Sequence, residues 1–336
     1  MNSKNIKRNI NDILSGNENK FKKFYDEENG TLKIGDKNLL LTTSEFSRDN
    51  LLRESDPYIL GWNVGVASFS SMIARGVNPV YFYHTLIISD KWNKQYLESF
   101  VMGISDVVEA YEIPFIRGTY HLSGKWRFNA SVLGVMDKKL LKPNLAVKGD
   151  SIYITGYIGR GNVEAFLSKK IKNRGIERLS RTYKNRFRIR RDESNLIKNF
   201  SEACIDTKDG FINSLNRFVD LGKVGYKLSS IPYVKSGILA VKMLEIPKEL
   251  LLTGNFGEYE LIFTIKKERE SEFLKTVSQN DLNIFKIGTI VEEGIKVFFE
   301  DEKEIDFSNN KNSKEIVKVK EYKAFLKTFF RNNFKS

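Results

Sequence analysis

Residues 203–211 read ACIDTKDGF, which places the single cysteine, two aspartates and a glycine directly before a run of periodic apolar residues. These residues alone leave two interpretations open for Asp206 and Asp209. Either aspartate can cap the following helix, because a carboxylate accepts hydrogen bonds from free backbone N–H groups. The same pair on a loop that enters a helix can hold a divalent cation against phosphate. Gly210 favours a helix that begins at or after Asp209.

The composition predicts a folded protein with two domains. The chain has 336 residues, of which 41% are hydrophobic, and this length exceeds what one hydrophobic core usually supports. No apolar stretch approaches the roughly 18 residues that span a bilayer, and the opening segment lacks the apolar centre of a signal peptide. One cysteine excludes an intramolecular disulfide framework. We therefore expect a cytoplasmic protein that makes no membrane contact.

Much of the net charge of +13 is concentrated in residues 169–191, KKIKNRGIERLSRTYKNRFRIRR. One interpretation is a solvated, partly helical connection whose long basic side chains cover apolar surface. If it is helical, Tyr183 and Phe187 share one face. The other interpretation is contact with a polyphosphate or a nucleic acid, whose binding would weaken steeply with salt. We expect the first, and do not expect nucleic acid as a partner.

Strand and helix patterns alternate along both halves of the chain. A hairpin turn is predicted at Gly35-Asp36-Lys37, and a strand is predicted in IPFIRG (113–118) before the loop GTYHLSGK. The alternation predicts an α/β (α+β layered) fold with domains at 1–145 and 146–336. The main predicted helices are DPYILGWNVGVASFSSMIARG, KQYLESFVMGISDVVEAYE, GNVEAFLSKKI and FINSLNRFVDLG.

Two more acidic clusters lie beside turns. Glu27 and Glu28 follow Asp26 in a Lys-rich segment, while Glu258 and Glu260 follow the glycines of TGNFG. Each cluster alone is typical of a solvated or glycine-rich turn. Three separated carboxylate clusters in a basic protein favour Mg²⁺-nucleotide chemistry more strongly than any single cluster does. The sequence has no Walker-type loop, dinucleotide fingerprint or Cys/His metal spacing.

Several segments between about residue 24 and about residue 300 resemble those of thiamine-monophosphate kinase in their order and in their residues. The enzyme belongs to the aminoimidazole ribonucleotide synthetase superfamily, with selenophosphate synthetase and the hydrogenase-maturation dehydratase. The most specific piece is ACIDTKDGF, against the family's Ala-Cys-Ile-Asp-Val-Ser-Asp-Gly-Leu. The other landmarks are LLLTTSEF, LGWNVGVASFSSMIARGVNPVYF, IPFIRGTYHLSG, GDSIYITGYIG, LLTGNFGEYELIFTI and KIGTIVEEGIKVFF.

The resemblance implies a two-domain fold of this superfamily whose N-terminal domains dimerise through their sheets, with ATP and Mg²⁺ between subunits and domains. It implies catalytic roles for Asp206, Asp209 and Glu258, and metal ligation by Glu27, Glu28, Asp206 and Asp209. It also implies a small-molecule substrate that carries a phosphate or carboxamide. The nucleotide and phosphate contacts that it implies are Thr43, Ser44, Ser71, Arg117, Gly118, Thr119, His121, Lys208, Gly210 and Asn255.

The match departs from the family at its metal ligands. The aspartate that ends the family's Thr-Thr-Asp strand is Ser44, the magnesium-binding aspartate of its long helix is Ser71, and the aspartate of its Gly-Gly-Asp-Thr loop is Thr119. Arg117 replaces a glycine of that loop. About three negative charges are thereby removed from a site whose hard cations prefer oxygen anions. Arg117, His121 and the three hydroxyls are candidates to replace metal as phosphate partners.

Two hypotheses from different classes follow. The first is a divergent ATP-dependent small-molecule kinase or ATP-activating enzyme with a reduced set of Mg-binding carboxylates. The second is a pseudoenzyme that retains the fold and acts as a nucleotide- or phosphate-binding regulatory dimer. The retained Asp206, Asp209 and Glu258 favour the enzyme.

Overall fold

The structure is a computed structural model that describes residues 25–26, 31–34, 36–50, 52–116, 118–136, 140–168, 174–300 and 303–308. Glu27, Glu28, Arg117 and residues 309–336 lie outside the described residues. Within the described part, the strands form two β-sheets and helices pack against them, which confirms the mixed α/β fold class.

The first sheet contains six strands in the order β1-β2-β3-β6-β4-β5. Only the pairing of β4 with β5 is parallel. Two helices, α1 (Pro57–Ile73) and α2 (Lys94–Ala110), come from the same part of the chain. The strands are β1 (Tyr25–Asp26), β2 (Thr31–Ile34), β3 (Lys37–Ser47), β4 (Pro79–Ser89), β5 (Thr119–Ser123) and β6 (Arg127–Val135).

Alternating side chains give this sheet a buried inner face and a half-exposed outer face. On β6, the even-numbered residues from Phe128 to Gly134 are buried, whereas the odd-numbered residues from Arg127 to Val135 are not. Register carries the same alternation to β3 and β4, because Ser44 pairs with Ala130 and Ala130 pairs with His84. The inner face therefore carries Ser44 and His84.

Helix α1 is apolar around most of its circumference, which indicates a helix covered by protein on several sides. Its N-terminus is fixed by Asp56, whose side chain accepts a 3.1 Å hydrogen bond from the backbone N–H of Ile59. Glycines bring it against α2, since a Cβ at Gly61 would lie 1.9 Å from the carbonyl oxygen of Phe100. This packing holds α1, and with it Ser71, in a fixed position.

The second sheet has seven strands in the order β13-β12-β9-β11-β7-β10-β8. Its strands are β7 (Ser151–Thr155), β8 (Cys204–Asp206), β9 (Gly225–Leu228), β10 (Leu261–Ile265), β11 (Ile284–Val291), β12 (Lys296–Glu300) and β13 (Lys303–Asp306). The helices of this part are α3 (Arg160–Ser168), α4 (Arg174–Thr182), α5 (Arg191–Phe200), α6 (Phe211–Gly222), α7 (Lys235–Leu244) and α8 (Glu270–Gln279).

The central strands of the second sheet are buried on both faces. Ile152 and Ile262 belong to a core made only of residues after 145, whereas Tyr153 and Phe263 belong to a core that also contains Phe69 of α1. The second core therefore joins elements of both halves of the chain. A strand that is apolar at four of its five positions, such as LIFTI, is typical of this two-sided burial.

The sequence-based boundaries hold for most elements and are wrong at two places. The predicted hairpin is confirmed by the antiparallel pairing of β2 with β3, in which Ile34 pairs with Lys37, while Gly35 lies outside the described residues. The predicted strand at 113–118 is wrong, because β5 begins at Thr119 inside the predicted loop. The expected shared helical face of Tyr183 and Phe187 is also wrong, because α4 ends at Thr182.

The extended segment that follows α4 is docked rather than solvated. Phe187 is fully buried, and its backbone N–H donates a 2.9 Å hydrogen bond to the side chain of Asn63 on α1. The Trp62 indole donates a 2.9 Å bond to the Phe187 carbonyl. The partly helical prediction for residues 169–191 is confirmed by α4, and residues 169–173 lie outside the described residues.

Candidate functional site

The loop between β8 and α6 is held by backbone geometry and not by an aspartate cap. Helix α6 begins at Phe211, and its N-cap residue is Gly210, which has φ 87° and no capping side chain. A Cβ at Gly210 would lie 2.2 Å from the carbonyl oxygen of Gly254, so glycine allows two loops to meet here. The capping interpretation of Asp206 and Asp209 is therefore wrong.

Asp206 is the buried acid of this loop. It ends β8, pairs with Leu261 on β10, and is 5% exposed. Its Oδ2 accepts a 3.0 Å hydrogen bond from the Ser71 hydroxyl of α1. Burial raises the pKa of Asp206, while the Lys208 ammonium and the Ser70 and Ser71 hydroxyls act in the opposite direction.

Lys208 and Ser71 complete a polar row with Asp206. The Lys208 ammonium lies 3.4 Å from Ser71 Oγ, within reach of a weak hydrogen bond. The two hydrogen bonds therefore point in one direction, because the ammonium donates to the hydroxyl and the hydroxyl donates to the carboxylate. Lys208 is exposed and Ser71 is half-buried, so the row leads from solvent to the buried Asp206.

Asp209 is the exposed acid of this loop. Its carboxylate lies 3.6 Å from the Arg217 guanidinium, and both side chains are more than half exposed. The amide of Asn213 donates to the Asp209 carbonyl at 3.1 Å and to the side-chain oxygen of Asn255 at 2.9 Å. Asn213 thus ties the aspartate loop to the loop at Gly254.

Glu258 is next to the site in the backbone but buried beneath α3. Its N–H donates to the carbonyl of Thr207 at 3.0 Å, while its Oε2 accepts from the backbone N–H of Gly159 at 3.1 Å. Burial raises the pKa of Glu258 to about 8, although the backbone N–H donors at the start of α3 act to lower it. The structure thus gives its side chain a capping contact at α3.

The predicted residues of the first sheet lie on two opposite faces. Ser44 points to the inner face, whereas Thr43 and Thr119 point to the outer face, where Thr119 Oγ1 lies 3.0 Å from Thr85 Oγ1. His121 is exposed and shares the face of Thr119. Gly118 passes so close to β4 that a Cβ would meet the carbonyl oxygen of His84 at 2.0 Å.

The described carboxylates do not fit a magnesium centre. Among the residues the structure describes, no group of three or more His, Cys, Asp or Glu side chains converges closely enough to hold a metal ion. Asp206 already accepts from Ser71 and is influenced by Lys208, and Asp209 pairs with Arg217. Mg²⁺ prefers about six oxygen ligands in octahedral geometry.

Two residues of the site were missed by the sequence analysis. Asn213 and Arg217 lie on α6 at positions four and eight after Asp209. This spacing places side chains on one face of a helix. It is a signal available in the sequence once α6 is known to begin directly after Gly210.

The chain is similar to a known family model and to curated relatives. Residues 26–136 match the family model for the AIR synthase related protein, N-terminal domain. The thiamine-monophosphate kinase of Aquifex aeolicus is 25% identical over 286 residues, which cover 84% of this chain and 90% of the relative. That of Buchnera aphidicola subsp. Acyrthosiphon pisum is 27% identical over 318 residues, which cover 90% of this chain and 93% of the relative.

Solved structures support the same fold. The complex described as AaThiL with AMPPCP and TMP superposes with a TM-score of 0.69 and 21% identity, and covers 90% of this chain and 96% of its own. The Escherichia coli hydrogenase maturation protein HypE gives a TM-score of 0.65 and 13% identity, and covers 84% of this chain and 88% of its own. No described helix is long and apolar enough to cross a membrane. The chain is therefore similar to thiamine-monophosphate kinases along most of its length, and its residues 26–136 match the AIR synthase related N-terminal domain.

Proposed function

We propose that this protein is a divergent ATP-dependent small-molecule kinase or ATP-activating enzyme with a reduced metal complement. The observation that carries the proposal is the row of Lys208, Ser71 and Asp206, which places a cation and a hydroxyl over a buried carboxylate. Charge-assisted hydrogen bonds from such donors hold phosphate oxygens strongly. Phosphoryl transfer depends largely on positioning and charge stabilisation.

Similarity to thiamine-monophosphate kinases along most of the chain supports ATP as the nucleotide. The bound molecules named for the AaThiL complex suggest the class of acceptor, a small phosphate-bearing molecule. For this chain we propose a phosphate or carboxamide substrate, and a cytoplasmic location. The roles of Asp206, Asp209 and Glu258 in chemistry belong to the same proposal.

Calorimetry with ATP and with AMPPCP, each in Mg²⁺ and in EDTA, tests nucleotide binding. The enzyme proposal predicts binding of one nucleotide per chain in at least one condition. Incubation with ATP and thiamine monophosphate, followed by measurement of ADP and thiamine diphosphate, tests transfer to the default acceptor. Absence of heat with both nucleotides in both conditions contradicts the proposal.

A pseudoenzyme is the second candidate, and the described carboxylates favour it. Hydroxyls stand at Ser44, Ser71 and Thr119, and no described metal-binding cluster replaces the missing acids. A dimer that binds a nucleotide or phosphate without turnover would satisfy the same geometry. Two results together would favour this second function. AMPPCP would bind tightly, and ATP would yield no ADP with any phosphate- or carboxamide-bearing acceptor.

A homodimer through the outer face of the first sheet is part of the proposal. Register places Leu41, Leu133 and Tyr81 in one row across β3, β6 and β4, with Tyr83 in the next row. Leu41, Tyr81 and Tyr83 are each more than a third exposed, and such an apolar patch favours association. Thr119 and His121 share this face and would approach the partner copy.

Sedimentation of Tyr83→Glu tests the dimer, with Leu274→Glu on α8 as the control. Leu274 is 46% exposed, but it lies on a helix of the second half. We expect the Tyr83 variant to be monomeric and the Leu274 variant to sediment like the wild type.

We also propose the domain boundary between residues 145 and 146. It is supported by separate sheets built from strands within 25–135 and 151–306.

A further inference from the structure

We propose that the Lys208 ammonium acts as a resident cation at the phosphate site, so that the protein binds a polyphosphate there without a divalent metal ion. This inference deepens the proposed function, and rests on it for the identity of the anion as a nucleotide phosphate. It starts from a disagreement: the superfamily resemblance implies magnesium, and the described side chains around Asp206 do not fit a magnesium ion.

The position of the ammonium is the first step. Lys208 lies two residues after Asp206, and its Nζ reaches Ser71 Oγ at 3.4 Å on the side of Asp206 that faces solvent. An ammonium has three donors. The contact with Ser71 uses one, so two donors remain for oxygens of an incoming anion.

Local charge is the second step. The positive charge of Lys208 offsets the negative charge of the Asp206 carboxylate. The Arg217 guanidinium lies 3.6 Å from the carboxylate of the exposed Asp209. An anion that approaches Lys208 therefore meets paired carboxylates. In a magnesium site, the carboxylates repel the anion until the metal ion neutralises them.

The start of α6 is the third step. This helix has 12 residues, and its N-cap Gly210 leaves the first N–H groups without a capping side chain. The uncapped end and the helix dipole favour an anion there. They reinforce the ammonium of the same loop, but the contact between Lys208 and Ser71 carries the assignment.

Calorimetric titration with sodium tripolyphosphate in EDTA at constant ionic strength tests the inference. The wild type is expected to bind one tripolyphosphate per chain in EDTA, and to bind no more tightly in Mg²⁺, because the ion chelates tripolyphosphate and reduces the charge that Lys208 attracts. Lys208→Ser is expected to weaken binding by about tenfold to a hundredfold, because a charge-assisted contact is lost. Lys208→Arg should retain most of the affinity.

Lys275→Ser is the matched control. Lys275 is an exposed lysine on α8, and its removal changes the net charge by the same amount. We expect its affinity to equal that of the wild type. Wild-type binding only in Mg²⁺, equal loss in the two serine variants, or several weak sites per chain would overturn the inference.

AMPPCP separates this inference from the proposed function. If tripolyphosphate binds in EDTA through Lys208 but AMPPCP does not bind at all, the nucleotide proposal fails and the resident cation stands. If AMPPCP binds only with Mg²⁺ and Lys208→Ser binds it like the wild type, the resident cation fails and the nucleotide proposal stands. Circular dichroism of each variant establishes that the fold is retained.

Discussion

The Ser71 hydroxyl on α1 donates a 3.0 Å hydrogen bond to Asp206, which lies 135 positions later at the end of β8. The contact joins an element of the first half to a strand of the second sheet. It lies beside a core to which both halves contribute, including Phe69 and Cys204. The candidate site thus depends on how the two halves pack together.

We predict that Ser71→Ala lowers the free energy of unfolding by about 1–2 kcal/mol near neutral pH, because a buried carboxylate loses a hydrogen-bond donor. The pKa of Asp206 should rise further, since the Ser71 hydroxyl acts to lower it. Urea unfolding measures the first effect, and carboxyl NMR titration the second. Ser71→Thr retains a hydroxyl and is the control, and equal stability of the two variants would contradict the assignment.

We predict that Glu258 makes the protein less stable as pH rises from about 4.5 to about 8. Its folded-state pKa is raised to about 8 from the ordinary value of about 4.5, so the folded state holds a proton that the unfolded state releases. The contribution of Glu258 to the free energy of unfolding is therefore fully present below the unfolded-state pKa. It falls as the pH rises to about 8, with a limiting slope of about 1.4 kcal/mol per pH unit.

Urea unfolding across this pH range, compared with that of Glu258→Gln, measures the slope. Glutamine has no titrating proton and retains an oxygen for the N–H of Gly159. The difference in unfolding free energy between variant and wild type should change steadily with pH. A constant difference would mean that Glu258 ionises normally in the folded protein.

The sequence predicted elements well where one local pattern decides them. Pro57 lies at the start of α1, and the turn predicted before β3 agrees with the pairing of Ile34 with Lys37. It failed at 113–118 because an apolar run does not specify whether a partner strand is within reach. β5 begins at Thr119, where β4 offers a parallel edge.

The site was predicted less completely, because its contacts are tertiary. ACIDTKDGF pointed to Asp206, but the motif cannot reveal that Ser71 is its donor or that Lys208 reaches the same hydroxyl. Glu258 looked equivalent to Asp206 in sequence. The start of α3, 99 positions earlier, takes its carboxylate instead.

We predict that Arg190→Met lowers the free energy of unfolding by about 3–5 kcal/mol, since it strands a buried acid. The Arg190 guanidinium donates to both carboxylate oxygens of Glu260, at 2.6 and 2.8 Å, and both residues are buried. Glu260 also accepts a 2.7 Å bond from Thr155, which remains in the variant. Urea unfolding measures the loss.

The adjacent Arg191→Met is the matched control. Arg191 pairs with Glu112 at 2.8 Å, but the Glu112 side chain is 77% exposed, and exposed pairs contribute about 0–1 kcal/mol. We expect the control to lose less than about 1 kcal/mol. Similar losses in the two variants would show that burial does not distinguish the pairs.

We predict that Gly210→Ala damages both stability and phosphate binding, because the loop at Gly254 must move. Gly210 has φ 87°, and a Cβ would lie 2.2 Å from the carbonyl oxygen of Gly254. Gly294→Ala is the control, since Gly294 has φ 88° and open space around its Cβ position. Backbone strain alone should cost the control about 1 kcal/mol, and the steric overlap should add about 1–3 kcal/mol at Gly210. Urea unfolding and tripolyphosphate calorimetry measure the two effects. Equal stability losses with unchanged affinity would mean that contact between these loops does not shape the site.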